Sequence, residues 1–454
     1  MTQKFRIAII GSGPSGLYAA DSLLKQTTHT SVDIFDRLPT PYGLLRTGVA
    51  PDHQKLKSVE NYFEKIFIKH DSNLNFFGNV TIGRDISIET LKQFYHAIIF
   101  AYGSEGVNKL NIPGENLKNC HSAREFIGWY NGHPDYQNQT FNLNASEVGI
   151  IGIGNVAVDV ARILAKTEQE LASSDITQSA LNKLKNSNIK NIHMFVRRGP
   201  VQAKCTNLEL QELAHLNDCQ IHLNQNDFKL STSDLAELND PSNRKAQKNL
   251  KVFEDILKTP KQTKSKNLYI HFFHISNKLE GSEHINKIYL NQSKLMGDPF
   301  NQTLTKTEHV KKYPCQLLFR SIGYKGKPLE NVPFDVNKGV IPNIKGRVID
   351  KHQKPILGLY TAGWIKRGPQ GVIGTNKPCS NETVMQIVED LDKLPECPKP
   401  KIEDIETHIK TLNIQVVRFK DWLEINKKEK LAGQKAGKPR EKFTTVADLL
   451  SAIN

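Results

Sequence analysis

An α/β fold made of two Rossmann-like dinucleotide-binding domains, one inserted into the other, is what this 454-residue chain predicts. Three observations carry the prediction. A glycine-rich loop, GSGPSG (residues 11–16), directly follows the apolar run FRIAII. A second loop, GIGNVA (residues 152–157), follows the apolar run VGII. A third segment, YTAGWIKRGPQGVIGTNK (residues 360–377), returns near the C-terminus. Two such loops cradle the phosphates of two dinucleotides. Two dinucleotides in one chain point to electrons passing between them, and so to an oxidoreductase.

In the first loop, a strand runs into G-x-G-x-x-G and then into a helix. Gly11 permits the tight turn, Gly13 lets the backbone approach a pyrophosphate, and Gly16 lets the helix pack closely on the strand. Pro14 lies between them. The helix start then offers free N–H groups and a partial positive charge to the phosphates. The next strand, VDIF, ends in Asp36, twenty residues past Gly16, where an acid holds a ribose hydroxyl.

The second loop is a G-x-G-x-x-A variant (Gly152, Gly154, Ala157) leading into VAVDVARILAK. No acid follows at the corresponding distance. The next strand, NIHMFV, comes late, after a stretch at about 167–188 that reads as inserted helix, and it ends in Arg197 and Arg198. Arginines in place of an acid favour a 2′-phosphate, hence NADP over NAD. The planar guanidinium gives a phosphate two parallel charge-assisted hydrogen bonds.

With these residues in view, the chain resembles the adrenodoxin reductase-like ferredoxin–NADP reductases along nearly its whole length. The matching segments include PYGLLRTGVAPDHQ (41–54), GWYNGHPD (128–135), GIGNVAVDVARIL (152–164) and FVRRGPVQAKCTNLEL (195–210). SIGYKGKPL (321–329), GWIKRGPQGVIGTNK (363–377) and GKPREK (437–442) continue the match. The resemblance implies an NADP domain (104–330) inserted into an FAD domain (1–103 and 331–454). It also implies FAD held by Gly13, Asp36, Leu44 and Val80. Trp364, Gly371, Val372 and Ile373 are placed at the flavin and nicotinamide rings. NADP is held by Asn155, Val156, Arg197, Arg198 and Glu209, and His53 with Asp159 forms a polar pair that supports hydride transfer. The chain departs from the family pattern at Asp36, where Glu is usual, at Ile153, where Gln is common, and at Gln211, where Arg is frequent.

Composition narrows the function further. No run of eighteen apolar residues is present, so no membrane span is expected. The chain enters its first strand after a few residues, with no secretory or transit segment. The expectation is a bacterial cytoplasm, with a processed mitochondrial form as the alternative. Six cysteines stand at 120, 205, 219, 315, 379 and 397. None forms C-x-x-C or matches the spacing of an iron–sulfur or zinc site. This weighs against a disulfide reductase, and no metal is expected. The formal net charge is +14. Without nucleic-acid motifs, the excess fits an acidic electron carrier, here a ferredoxin, approached by a monomer.

Two stretches break the alternation of strand and helix. Residues 230–266 are polar and lysine-rich. Within them NRKAQKNLKVFEDILK predicts an amphipathic helix, with Ala246, Leu250, Phe253 and Leu257 on the apolar face and Arg244, Lys248 and Lys251 opposite. The basic tail after Leu394 is expected to wrap the first domain. The favoured activity is hydride transfer between NADPH and FAD, then single electrons to ferredoxin. The alternatives are a flavin monooxygenase and a redox-sensing binding protein without turnover.

Overall fold

The computed structural model describes residues 5–453. The first residues, 1–4, on which the expectation about a targeting segment partly rests, lie outside that range. The chain forms two compact units. The first comprises the chain through Val49, His53–Asn108 and the chain from Gly323 on. The second comprises Ala50–Asp52 and Lys109–Ile322.

The first unit is organised by a seven-stranded sheet in the order Asn343–Ile344, Arg347–Ile349, Pro355–Thr361, Ala97–Phe100, Phe5–Ile10, Thr30–Asp36, Leu74–Gly78. The last five strands pair in parallel. The run FRIAII is apolar throughout because both faces of its strand are covered. Ile7 and Ile9 enter one core, with Leu17, Ala20 and Leu23 of the helix Pro14–Gln26. Ala8 and Ile10 enter the other, with Phe35, Ile98 and Phe100.

Proline at the first turn suits that helix, where its missing N–H costs nothing. At the far end Thr27 closes it, with both its N–H and its hydroxyl donating to the Leu23 carbonyl. Gly11 sits at φ +105°, and a Cβ on Gly16 would lie 2.1 Å from the Gly11 carbonyl oxygen. Only glycine permits this approach of helix to strand.

The second unit holds a six-stranded parallel sheet, Cys120–Ser122, Leu317–Arg320, Glu147–Ile151, Asn191–Phe195, Lys266–His271, Cys219–Leu223. A three-stranded antiparallel sheet accompanies it: His274–Glu280, Lys287–Met296 and Thr303–Pro314. The helix Asn155–Ala165 buries Val158, Ala161, Ile163 and Leu164 in this unit's core. The Lys266 ammonium ends it by donating to the Leu164 carbonyl.

Where the sequence sets the joints at 103/104 and 330/331, the chain leaves the first unit after Asn108 and returns at Gly323. Gly106–Val107 and Tyr324–Lys325 pair antiparallel and keep both crossings with the first unit.

Three local differences have physical causes. Residues 167–188 form two helices, Glu168–Ala172 and Gln178–Lys185, each started by a threonine cap at Thr167 and Thr177. The polar stretch after Leu230 gains a helix, Thr232–Asn239, from a capping box between Ser231 and Asp234. The amphipathic helix runs Arg244–Lys258, but its core face is Ala246, Asn249, Val252 and Phe253, so Leu250 and Leu257 are only half-buried. Asn249 tolerates burial because its amide donates to the Cys205 carbonyl. Arg244, Lys248 and Lys251 are exposed as expected.

The tail does cover the first unit. Ile405, Ile409, Val417, Trp422 and Leu449 enter its two cores.

Gly16→Ala is expected to destabilise the cofactor-free protein by about 2–3 kcal/mol, the cost of overpacking a site that cannot relax. A denaturant melt compared with wild type measures it.

Candidate functional site: two dinucleotide cradles

The first cradle is built from backbone. Gly13 caps the helix Pro14–Gln26 with extended dihedrals and no side chain bonds that helix start. The first-turn N–H groups therefore face outward for an anion. A Cβ placed on Gly13 would have only the Gly43 Cα near it, at 4.0 Å. The cradle is open, and a phosphate fits it.

Asp36, at the end of Thr30–Asp36, is already bonded within the protein. Its Oδ2 accepts from the Ser12 N–H at 2.9 Å and the Ser12 hydroxyl at 2.5 Å, and its Oδ1 accepts from the Leu38 N–H at 3.0 Å. Desolvation pushes its carboxyl pKa up, against the pull of these bonds. Asp36 thus fixes the glycine loop through Ser12, with lone pairs left over for a further donor. Val80 is fully buried, and its N–H donates to the Asp36 carbonyl. Leu44 begins the one-turn helix Leu44–Thr47 directly after Gly43. Gly11, Gly13, Pro14, Gly16, Asp36, Leu44 and Val80 are therefore gathered around one loop.

The third segment reaches the same helix start. A Cβ on Gly363, at φ +76°, would lie 1.9 Å from the Ser15 hydroxyl. The Ser15 hydroxyl bonds the Asn376 Oδ1 at 3.0 Å, which ties the helix Pro14–Gln26 to the start of Asn376–Asp390. Arg367 also donates to the Asn376 Oδ1, at 2.9 Å. Trp364 is half-buried, with its indole N–H on the Gln370 carbonyl at 3.2 Å and its ring 6.0 Å from that of Tyr324. Gly371 is at φ +82°, and a Cβ there would meet the Thr375 hydroxyl at 2.3 Å. Val372 is exposed, and Ile373 opens a short 3₁₀ turn. Ser12, Ser15 and Asn376 do work that no sequence spacing announces.

The second cradle repeats the pattern. Gly152 is at φ +119°, with a Cβ position 2.5 Å from the Ser321 carbonyl oxygen. Gly154 caps the helix Asn155–Ala165, again with no side-chain cap, and nothing lies within 4 Å of its Cβ position. Asn155 accepts from the Thr206 N–H at 2.7 Å, and Val156 is half-buried beside it. Glu209 is buried in the first turn of Asn207–Ala214. Arg197 is exposed and Arg198 half-buried, just past Asn191–Phe195. Among the described residues neither guanidinium has a hydrogen bond or ion pair. Two arginines at the end of the second strand thus keep their donors available to an anionic group.

His53 caps the short helix Gln54–Lys57 in the first unit. Asp159 is buried in the second. Its Oδ1 accepts from Arg162 at 2.8 Å. Arg162 is fully buried, and it also pairs with Asp52 and, at 3.3 Å, with Glu212. Lys166 joins Asp52 at 2.5 Å. In the sequence Arg162 reads as one helix arginine among many, and nothing there announces this buried cluster.

Sheet order, two open glycine cradles and a free arginine pair define an oxidoreductase that handles two dinucleotides. Residues 5–195 match the pyridine nucleotide-disulphide oxidoreductase family model. The NADPH:adrenodoxin oxidoreductase of Arabidopsis thaliana mitochondria is 39% identical over 99% of this chain and 96% of its own length. NADPH-ferredoxin reductase FprA of Mycobacterium tuberculosis is 36% identical over 99% of both. The structure of that FprA in complex with NADPH superposes with a TM-score of 0.92 at 35% identity, covering 99% of this chain and all of the other. The chain belongs to the adrenodoxin reductase-like ferredoxin–NADP reductases. All six cysteines are free thiols, and none stands in a C-x-x-C pair.

Replacing Arg197 and Arg198 together by alanine is expected to lower kcat/KM for NADPH by about 100-fold, roughly tenfold per charged hydrogen bond, with NADH little changed. Steady-state comparison of the two nucleotides measures it.

Proposed function

We propose that the protein is an FAD-containing ferredoxin–NADP reductase. The carrying observation is the pair of open cradles in separate units, only one of them furnished with free arginines. The first unit, expected as 1–103 with 331–454, holds FAD through Gly11–Gly16, Asp36, Leu44 and Val80, with Trp364 and residues 371–373 at the ring. The second, expected as 104–330, holds NADP through Gly152–Val156, Arg197, Arg198 and Glu209. Bound there, FAD supplies the conversion between a two-electron hydride and single electrons.

The protein's residues supply binding and electrostatics. Arg162, dry and facing three carboxylates, fixes the Asp159 carboxylate through a hydrogen bond at 2.8 Å. His53 and Asp159 are the polar residues that support hydride transfer. Alanine at either is expected to slow flavin reduction by NADPH about tenfold or more in stopped flow while FAD stays bound, the range of a general acid–base contribution or below it. An unchanged rate in both variants removes them from the mechanism.

The electron acceptor is an acidic ferredoxin, met by a monomer in the cytoplasm. No helix among the described residues is long and apolar enough to cross a membrane. The helix Arg244–Lys258 presents exposed Arg244, Lys248 and Lys251 as a docking face. NADPH-dependent ferredoxin reduction, followed with cytochrome c, tests the activity, with ferricyanide as the acceptor that needs no docking. Arg244→Glu with Lys248→Glu is expected to cut ferredoxin turnover at low salt and leave ferricyanide turnover unchanged. The difference should vanish as the Debye length falls from about 10 Å at 0.1 M salt to about 3 Å at 1 M. Equal salt slopes in variant and wild type would place the docking face elsewhere.

A further inference from the structure

The turn that closes over the first phosphate loop is strained. Tyr42 sits at φ +80° and Gly43 at φ +50°. A buried tyrosine at positive φ is costly, and such a conformation persists only where its surroundings over-determine it. The turn lies directly on the loop. The Tyr42 N–H donates to the Ser12 carbonyl at 3.0 Å, and a Cβ on Gly43 would be 3.0 Å from the Gly13 Cα.

What holds it comes from the other end of the chain. Arg46, in the one-turn helix that follows, donates two hydrogen bonds to Glu429, at 2.8 and 2.6 Å. Both side chains are buried, Glu429 completely. The Arg46 guanidinium lies 5.1 Å from the Trp422 ring, and the Tyr42 ring meets Trp422 edge-on at 5.8 Å. Trp422 and Glu429 share the helix Phe419–Lys435. Glu429 is itself braced. It accepts from the Phe443 N–H at 3.0 Å and faces Arg440 at 3.6 Å, while Arg440 pairs with Glu60. The GKPREK segment can lie flat on the helix because a Cβ on Gly433 would meet the Arg440 Cα at 2.3 Å.

We propose that Glu429 and Trp422 are positioning residues for the flavin cofactor, clamping the strained Tyr42–Gly43 turn against the first phosphate loop. The proposal rests on that unit holding FAD. A dry bidentate ion pair is a stiff link, because breaking it strands a buried charge. Without the link, the turn relaxes toward unstrained dihedrals and leaves the loop.

The test is the rate of FAD release from the purified full-length holoprotein, read as rising flavin fluorescence after dilution, with the visible spectrum and the melting temperature of the cofactor-free form beside it. Glu429→Gln keeps the shape and removes the charge. It is expected to release FAD at least ~10-fold faster and to alter the flavin absorption envelope. Asp390→Asn is the control, since it breaks another ion pair of the same unit, to Arg347 at 2.6 Å, away from the turn. It should lower the melting temperature and leave FAD release unchanged. Glu429→Gln behaving like Asp390→Asn, with a lower melting temperature but wild-type release and spectrum, overturns the proposal. Should Glu429→Gln not accumulate as soluble protein, Arg46→Lys carries the test. It keeps the charge and loses the fork, so faster release supports the clamp and wild-type release overturns it. A wild-type protein that takes up no FAD at all would instead refute the flavin assignment itself.

Discussion

Closeness of backbone to backbone at three glycines is the constraint on which the rest depends. At Gly11, Gly16 and Gly152 a methyl group would lie 2.6 Å or less from a neighbouring carbonyl oxygen. Strand end, loop and helix start are therefore compressed into one rigid corner in each unit. That corner turns first-turn N–H groups outward without any side-chain cap. Every other element of the two sites is placed with respect to a corner. Asp36 is tied to Ser12, Gly363 is seated on Ser15, and Asn155 is bonded to the chain at Thr206. What each helix start offers an anion is thus set by the backbone.

The two cradles differ in what surrounds that backbone. At the first, the one acid already has three donors. The second unit leaves two guanidinium groups unpaired and gathers Asp52, Asp159 and Glu212 around the dry Arg162. A fixed charge arrangement of this kind costs little reorganisation when a charged nucleotide arrives or leaves.

Much of this was legible in the sequence because its cause is local. The strands FRIAII and VGII, both glycine loops and the arginines after NIHMFV depend on neighbours within a few residues. What escaped depends on distance or on one tolerated exception. Asn249 looks like a surface residue until Cys205 offers it a carbonyl, and that single bond turns the face of its helix. Ser12 and Ser15 are small polar residues in a loop until Asp36 and Asn376 reach them. The bond between Arg46 and Glu429 spans 383 residues of sequence, and no periodicity encodes it. The three-stranded antiparallel sheet also escaped, since its outer strand has no buried face to impose alternation.

That outer strand also bears on self-association. Thr303–Pro314 is an edge of its sheet, and the backbone N–H and C=O groups that face away from Lys287–Met296 would template pairing with a second copy. It carries Lys306, Lys311 and Lys312, and ends in a proline that has no N–H to offer. Two such margins brought together would set like charges against each other. Part of the chain's excess of positive charge thereby opposes the addition of a second copy at this edge.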